Sequence, residues 1–260
     1  MPRKIACYGW IPDLPDHRDF VFATSAAVLA RLPSRINLTR NCPPIYDQGE
    51  IGSCTANAIG GTIQFDQMKQ RLRGSFIPSR LFIYYNERVM ENTANEDSGA
   101  MIRDGIKSVA KQGVCPEKMW PYDPSPFPPN PQLTRKPSAT CYKDALKHTA
   151  VQYQRVPRNL SQMKGCLASG YPFVIGFTVY ESFESEDVAK TGVMPMPANR
   201  EHVLGGHAVM AVGYDDKEGR FRMRNSWGKA WGMKGYFTMP YAYLLDDNLS
   251  DDFWKITLVK

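Results

Sequence analysis

Hydrophobic positions divide the chain into two regions of different period. From Cys54 to about Arg73, Ala58, Ile59, Thr62, Ile63 and Met68 recur near one face, which predicts a single helix. Pro78 precedes a second helical stretch, about Ser79 to Met90, and a third runs from about Met101 to Gln112, where Gly113 stops it. After about residue 150 the pattern shortens to alternation. Val151 to Val156, Pro172 to Val179, His207 to Tyr214, Arg220 to Arg224, Gly235 to Met239 and Phe253 to Val259 read as strands, with a helix near Leu160 to Ser169. A helical first half and a sheet-rich second half would leave a cleft between them.

Two stretches fall outside this scheme. Residues 121–137 hold seven prolines and read as an extended surface segment. Residues 1–31 combine a turn-rich piece around Gly9 and Pro15 with a short helix-prone piece from Ser25 to Arg31. Trp10, Ile11, Leu14 and Phe20 give this extension more apolar anchors than a free terminus carries. Two readings stand: a structural arm strapped along the back of the body, or a segment that reaches the cleft and limits access to it.

The candidate chemistry begins at Cys54. Small residues precede it and helix-compatible residues follow, so the thiol would open a helix and meet unpaired backbone N–H groups and the positive end of the dipole. That setting favours thiolate. Six positions earlier, Gln48 offers an amide donor suited to an oxyanion forming beside the sulfur. Downstream, Gly205-Gly206-His207-Ala208 starts an alternating run, and Asn225-Ser226-Trp227-Gly228 follows a second short strand. A turn over Asp215 to Gly219 would bring His207 and Asn225 side by side. Cysteine, histidine and asparagine far apart in sequence make up one version of the hydrolytic triad.

In order and local context these motifs resemble the papain-like cysteine peptidases, in their bacterial, xylellain-like branch, over roughly residues 32 to 260. The resemblance implies an α+β, two-domain fold, with a helical left half, a sheet- or barrel-rich right half and the active-site cleft between them. It places the peptidase domain at 32–260, with a helical half over about 40–155, a sheet-rich half over about 156–245 and a C-terminal strand at about 253–259. It implies Cys54 as nucleophile, His207 as base, Asn225 as the residue orienting it, Gln48 in the oxyanion hole and Trp227 shielding the His–Asn hydrogen bond. By context it also assigns substrate binding to Ser98, Gly99, Ala100, Gly176 and Ala208, with Trp227 bordering the leaving-group side. Small residues there would leave room for a bulky apolar side chain. The chain departs from the family at Thr55, where an aromatic residue usually follows the nucleophile, and at Ile51, where a disulfide cysteine is usual. The interval from Cys54 to His207 is 153 residues, slightly beyond the family's ~130–150. Insertions are expected in 121–137 and 181–204. No long inhibitory pro-domain is expected ahead of the catalytic part.

Composition narrows the partners. Hydrophobic residues at 43% and charged residues at 22% are globular values. The net charge of +6 comes without a basic cluster, so scattered solvated charges are preferred to a nucleic-acid surface. Six cysteines lack metal-ligand spacing, and with Cys54 set aside five remain, an odd number expected to be mostly buried thiols. No metal or cofactor is expected. The start shows no apolar run of signal-peptide length, and no stretch is long enough to span a membrane, so the chain is expected to be soluble, cytoplasmic or exported by an unreadable route. His202 competes with His207 for the base role, but its flanks read as a loop. The acid pairs Asp215/Asp216, Asp246/Asp247 and Asp251/Asp252 read as solvated turns. The resulting expectation is a cysteine endopeptidase acting on peptides or proteins through a thioester. Alternatives are an exopeptidase or transpeptidase on the same residues, or a binding module that kept the fold without turnover.

Overall fold

The alternating segments of the second half pair into one sheet, and the first half packs its helices against it. The computed structural model describes residues 8–128, 130–149 and 151–258. In chain order the arm carries β1 (Trp10–Ile11) and α1 (Ala26–Leu29), and β2 (Arg35–Asn37) follows it. The helical region holds α2 (Cys54–Lys69), α3 (Arg80–Met90), β3 (Ala100–Met101), α4 (Ile102–Gln112), α5 (Pro131–Thr134) and α6 (Ala139–Ala145). Then come β4 (Val151–Arg155), α7 (Leu160–Ala168), β5 (Phe173–Tyr180), α8 (Glu186–Thr191), β6 (Val203–Asp215), β7 (Arg220–Arg224), β8 (Tyr236–Pro240), α9 (Tyr241–Leu245) and β9 (Ser250–Leu258). The large sheet runs β4-β9-β5-β6-β7-β8 with β2 added to β6, and all its pairings are antiparallel. It is an open sheet, so the barrel form of the expectation is corrected.

Helix α2 is the centre of the helical region. The sequence reading gave it one apolar face, yet 14 of its 16 residues are buried. With no solvated side, its polar residues need internal partners. Asn57 donates to the Ser53 carbonyl at 2.9 Å, Thr62 to the Ala58 carbonyl at 2.9 Å and Thr55 to Glu87 at 2.6 Å. The helix stops four residues short of the expected Arg73, and Arg71 takes a left-handed φ of 52°. Helices α3 and α7 start at side-chain caps, Ser79 and Asn159, which satisfy first-turn N–H groups. Helix α2 has no such cap, because the Ser53 hydroxyl is engaged with Tyr122 at 2.6 Å. Within the proline-rich stretch, Asn130 caps the short α5 at Pro131.

The arm packs on the body at more than one place along its length. Its Phe22 N–H and Phe20 carbonyl bond to the backbone of Arg155 at 2.8 and 2.7 Å, and Thr24 N–H donates to Gln162 at 2.7 Å, which straps it to β4 and α7. Its first described residues do something else: β1 pairs in parallel with β3, Trp10 opposite Ala100 and Ile11 opposite Met101. Trp10 belongs to the same apolar cluster as Cys54, Ile59, Ala100, Ala208 and Trp254.

Candidate active site

The loop before α2 is held from three sides. Gly52 N–H donates to the Asp97 carboxylate at 3.0 Å, Asp97 also accepts from the Tyr84 hydroxyl at 2.5 Å, and Tyr122 O–H reaches the Gln48 carbonyl at 2.8 Å. The thiol that follows opens the helix as its sequence implied. Where the family usually has an aromatic residue, Thr55 instead bonds to Glu87, a fully buried carboxyl that burial pushes well above its usual range.

On the opposite wall, β6 and β7 form the expected hairpin, and His207 Nε2 meets Asn225 Oδ1 at 2.8 Å. Asn225 Oδ1 also accepts from Ser226 N–H at 2.9 Å, which fixes the amide with its oxygen toward the ring. Trp227 lies over the imidazole at 5.0 Å between ring centroids, tilted 35°, and Phe177 meets it edge-on at 5.7 Å. The remaining ring nitrogen, Nδ1, makes no protein hydrogen bond among the described residues. Gln48 is fixed by its oxygen, which accepts from the Ser226 hydroxyl at 2.7 Å, so its NH2 group faces the loop before Cys54 and donates to the Ile51 carbonyl at 3.1 Å. Ser226 thus orders both Asn225 and Gln48. The sequence reading passed over it, although it stands inside the Asn-Ser-Trp motif.

The groove between the walls is filled by the arm. A Cβ added to Gly9 would lie 1.7 Å from the Gly52 carbonyl oxygen, and the Gly9 carbonyl accepts from Ala100 N–H at 2.7 Å. The Tyr8 ring stands edge-on to His207 at 6.2 Å, and its hydroxyl donates to Glu184. Trp10 is pressed so tightly on the sheet that a Cβ at Gly176 would fall 2.0 Å from its ring. In consequence Cys54 is 0% exposed. Burial pushes that thiol up to about 12, against the pull of the Ala208, Gly9 and Thr55 N–H groups that face the sulfur. Burial likewise lowers His207 to about 4, with the Asn225 hydrogen bond opposing it. With the arm docked, burial opposes both the thiolate and the imidazolium, whereas the helix terminus alone favours the thiolate.

The Ala208 N–H at the sulfur, next in the strand to His207, brings Cys54 and His207 to one place. Gly99, Ala100 and Gly176 line the groove against Gly9 and Trp10, while the Ser98 hydroxyl turns away to Thr93 at 2.8 Å. His202 is exposed and paired with Glu181 at 3.0 Å, far from this chemistry. One acid pair was misread: Asp251 and Asp252 lie in β9, and Asp252 is 1% exposed, bonded to Trp10 Nε1 at 2.9 Å and Asp13 N–H at 2.8 Å. Cys42, Cys54, Cys115, Cys141 and Cys166 are free thiols, and Cys7 lies outside the described residues. Among the described residues no group of three or more His, Cys, Asp or Glu is placed to hold a metal ion, and no helix is long and apolar enough to cross a membrane.

The family described as "Papain family cysteine protease" matches residues 32–244. The crystal structure of xylellain, a cysteine protease from Xylella fastidiosa, is similar at a TM-score of 0.93 and 48% identity, covering 100% of this chain and 99% of that one. An uncharacterized peptidase C1-like protein of Acanthamoeba polyphaga mimivirus is 42% identical over 277 residues, 96% of this chain and 86% of its own length. Procathepsin B S9 from Trypanosoma congolense shares the fold at a TM-score of 0.71 and 18% identity, covering 98% of this chain and 86% of that one. The chain belongs to the papain family of cysteine proteases.

Proposed function

We propose that the chain is a cysteine endopeptidase that works through Cys54, His207 and Asn225, with Gln48 in the oxyanion hole. The observation that carries this reading is the 2.8 Å bond between His207 Nε2 and Asn225 Oδ1, which holds the ring so that Nδ1 alone is left for proton transfer. Cys54 Sγ attacks the scissile carbonyl carbon and its proton passes to His207. The carbonyl oxygen takes the negative charge, stabilised by the Gln48 amide and the Cys54 backbone N–H. His207 returns the proton to the leaving nitrogen as the C–N bond breaks, leaving a thioester. Water, deprotonated by the same imidazole, then releases the acid and the free thiol.

The arm acts as a gate on this site. Gly9 offers the sulfur an N–H group rather than a carbonyl carbon, so the segment fills the groove without being a substrate. The test is hydrolysis of an internally quenched peptide blocked at both ends, by the full chain and by Cys54→Ala and His207→Ala. Turnover that needs both residues supports the endopeptidase. Cleavage confined to peptides with a free terminus would make the enzyme an exopeptidase, and turnover by Cys54→Ala would remove the nucleophile from the scheme.

A further inference from the structure

Gln48 is aimed from two ends. Its oxygen accepts from Ser226, and its NH2 group donates to the Ile51 carbonyl at 3.1 Å. An amide nitrogen carries two hydrogens in one plane, so the bond to Ile51 sets the direction of the other, the one available to an oxyanion. The Ile51 carbonyl and the Gly52 N–H belong to a single planar peptide unit. That N–H points between both oxygens of the Asp97 carboxylate, at 3.0 and 3.1 Å. Whatever turns this plane therefore turns the amide. Asp97 stands 45 positions further along, in the loop between α3 and β3, outside the motifs that carry the chemistry.

We propose that Asp97 is a positioning residue for the oxyanion hole: it clamps the Ile51–Gly52 peptide and through it aims the Gln48 amide. The inference rests on the peptidase reading above. The clamp is braced in turn. Asp97 Oδ1 accepts from the Tyr84 hydroxyl at 2.5 Å, and the Tyr84 oxygen accepts from Gly99 N–H at 3.0 Å. Arg88 is buried, stacks at 4.0 Å on the Tyr84 ring and donates to the Ala94 and Glu96 carbonyls, which fixes the loop that carries Asp97. The charge on Asp97 has two consequences. An N–H bonded to an ionised oxygen is held more strongly than one bonded to a neutral oxygen, and hydrogen bonds in series polarise one another. The Ile51 carbonyl therefore holds the Gln48 hydrogen more firmly than an unclamped peptide would. The same charge would oppose a nearby oxyanion, but the Arg88 guanidinium lies close enough to attract and offset it. Asp97 thus acts on the reaction through the alignment of Gln48 rather than through its own field.

The test is a cycle in the full-length chain, cutting a blocked quenched peptide: the parent, Asp97→Asn, Gln48→Ala and the two changes combined. Asn fills the same space, but a neutral oxygen and a donor replace the charged acceptors around the Gly52 N–H, so the clamp loosens without leaving a cavity. Asp97→Asn should lower kcat by about tenfold or more with KM within roughly threefold, because the bound substrate carries no oxyanion until it reacts. In the Gln48→Ala background the same change should cost less than about twofold, since the donor it aims is gone. An equal loss in both backgrounds would overturn the proposal, because an effect on the thiol, the gate or the fold does not need Gln48. A parental kcat in Asp97→Asn would overturn it too. If that variant does not fold, Tyr84→Phe takes its place in the cycle. It removes the brace and keeps the Gly52 bond, so kcat should fall roughly three- to tenfold in the parent and not in Gln48→Ala; an equal fall in both, or none in either, overturns the proposal. A parent whose Cys54 alkylates but which cuts no peptide would fail at the peptidase reading itself and take the role of Asp97 with it.

Discussion

Gly9 and Gly52 touch so closely that residue 9 has no room for a side chain: a Cβ there would stand 1.7 Å from the Gly52 carbonyl oxygen and 2.9 Å from its Cα. Backbone on both sides of the overlap means that one strand must move. Gly52 is held by Asp97 at the head of the buried helix α2, so the arm is the part that yields. Gly9→Ala should therefore undock β1 while leaving the straps at Phe20 and Phe22. Alkylation of Cys54 by iodoacetamide should speed up at least tenfold, and peptide turnover per molecule should rise with it. A labelling rate equal to the parent's would mean that the docked arm does not limit access.

Removing the sulfur separates chemistry from packing. Cys54→Ala should abolish measurable turnover. Because the thiol is fully buried, the loss of one buried heavy atom should also cost on the order of 1 kcal/mol, seen as a shift of a few degrees in Tm. An unchanged Tm would show that the sulfur contributes no packing, and activity within tenfold of the parent would rule out Cys54 as nucleophile.

Ser226 offers a graded test of positioning. Its hydroxyl holds the Gln48 oxygen at 2.7 Å, so Ser226→Ala frees the amide to rotate away from the oxyanion. Loss of one oxyanion donor is worth ~3–4 kcal/mol, and Gln48→Ala should approach that. Ser226→Ala should lower kcat about ten- to a hundredfold with KM little changed, because the amide remains present but misaligned. Asn225→Ala should likewise be milder than His207→Ala, which removes the proton carrier. A Ser226→Ala enzyme with parental kcat would show that Gln48 holds its place unaided.

How much of this was legible in the sequence follows from how local each signal is. The helix opened by Cys54 and the β6–β7 hairpin were readable because helical and alternating periods are properties of adjacent residues. The burial of α2 on all sides was not, since it depends on what packs around it. Asp252 shows the limit most sharply. Beside Asp251 it reads as a solvated turn, and only the β9 bulge and the arrival of Trp10, 242 positions away, make it a buried acceptor. The arm's apolar residues signalled that it must dock somewhere; the groove was open to inference because a helical first half and a sheet-rich second half leave a cleft between them. The pull on the Cys54 thiol has the same limit: the helix terminus is local, while the burial that opposes it comes from packing around the sulfur.

The docked arm should also respond to pH, in a direction that can be worked out. Asp13, on the arm, accepts from Arg103 N–H at 3.0 Å and from the Trp254 indole at 2.8 Å. Burial and then the neighbouring Asp252 carboxylate push its carboxyl up to about 7, against the pull of those donors and of Arg155. Burial raises Asp252 as well. The other charges at this junction are Asp19 on the arm, Asp251 on β9, and Arg155 and Arg103 on the body. Once undocked, Asp13 returns to ~3.9. The docked state therefore keeps a proton that the free arm has lost, so this contribution to docking is fully present below ~4 and disappears as pH rises through about 7. Rising pH should open the gate. Alkylation speeds up with pH for any thiol, so the informative quantity is the labelling rate of the parent divided by that of Asp13→Asn, whose side chain cannot ionise. That ratio should climb between about pH 4 and 8. A flat ratio would detach Asp13 from docking, and a falling one would reverse the sign of the linkage.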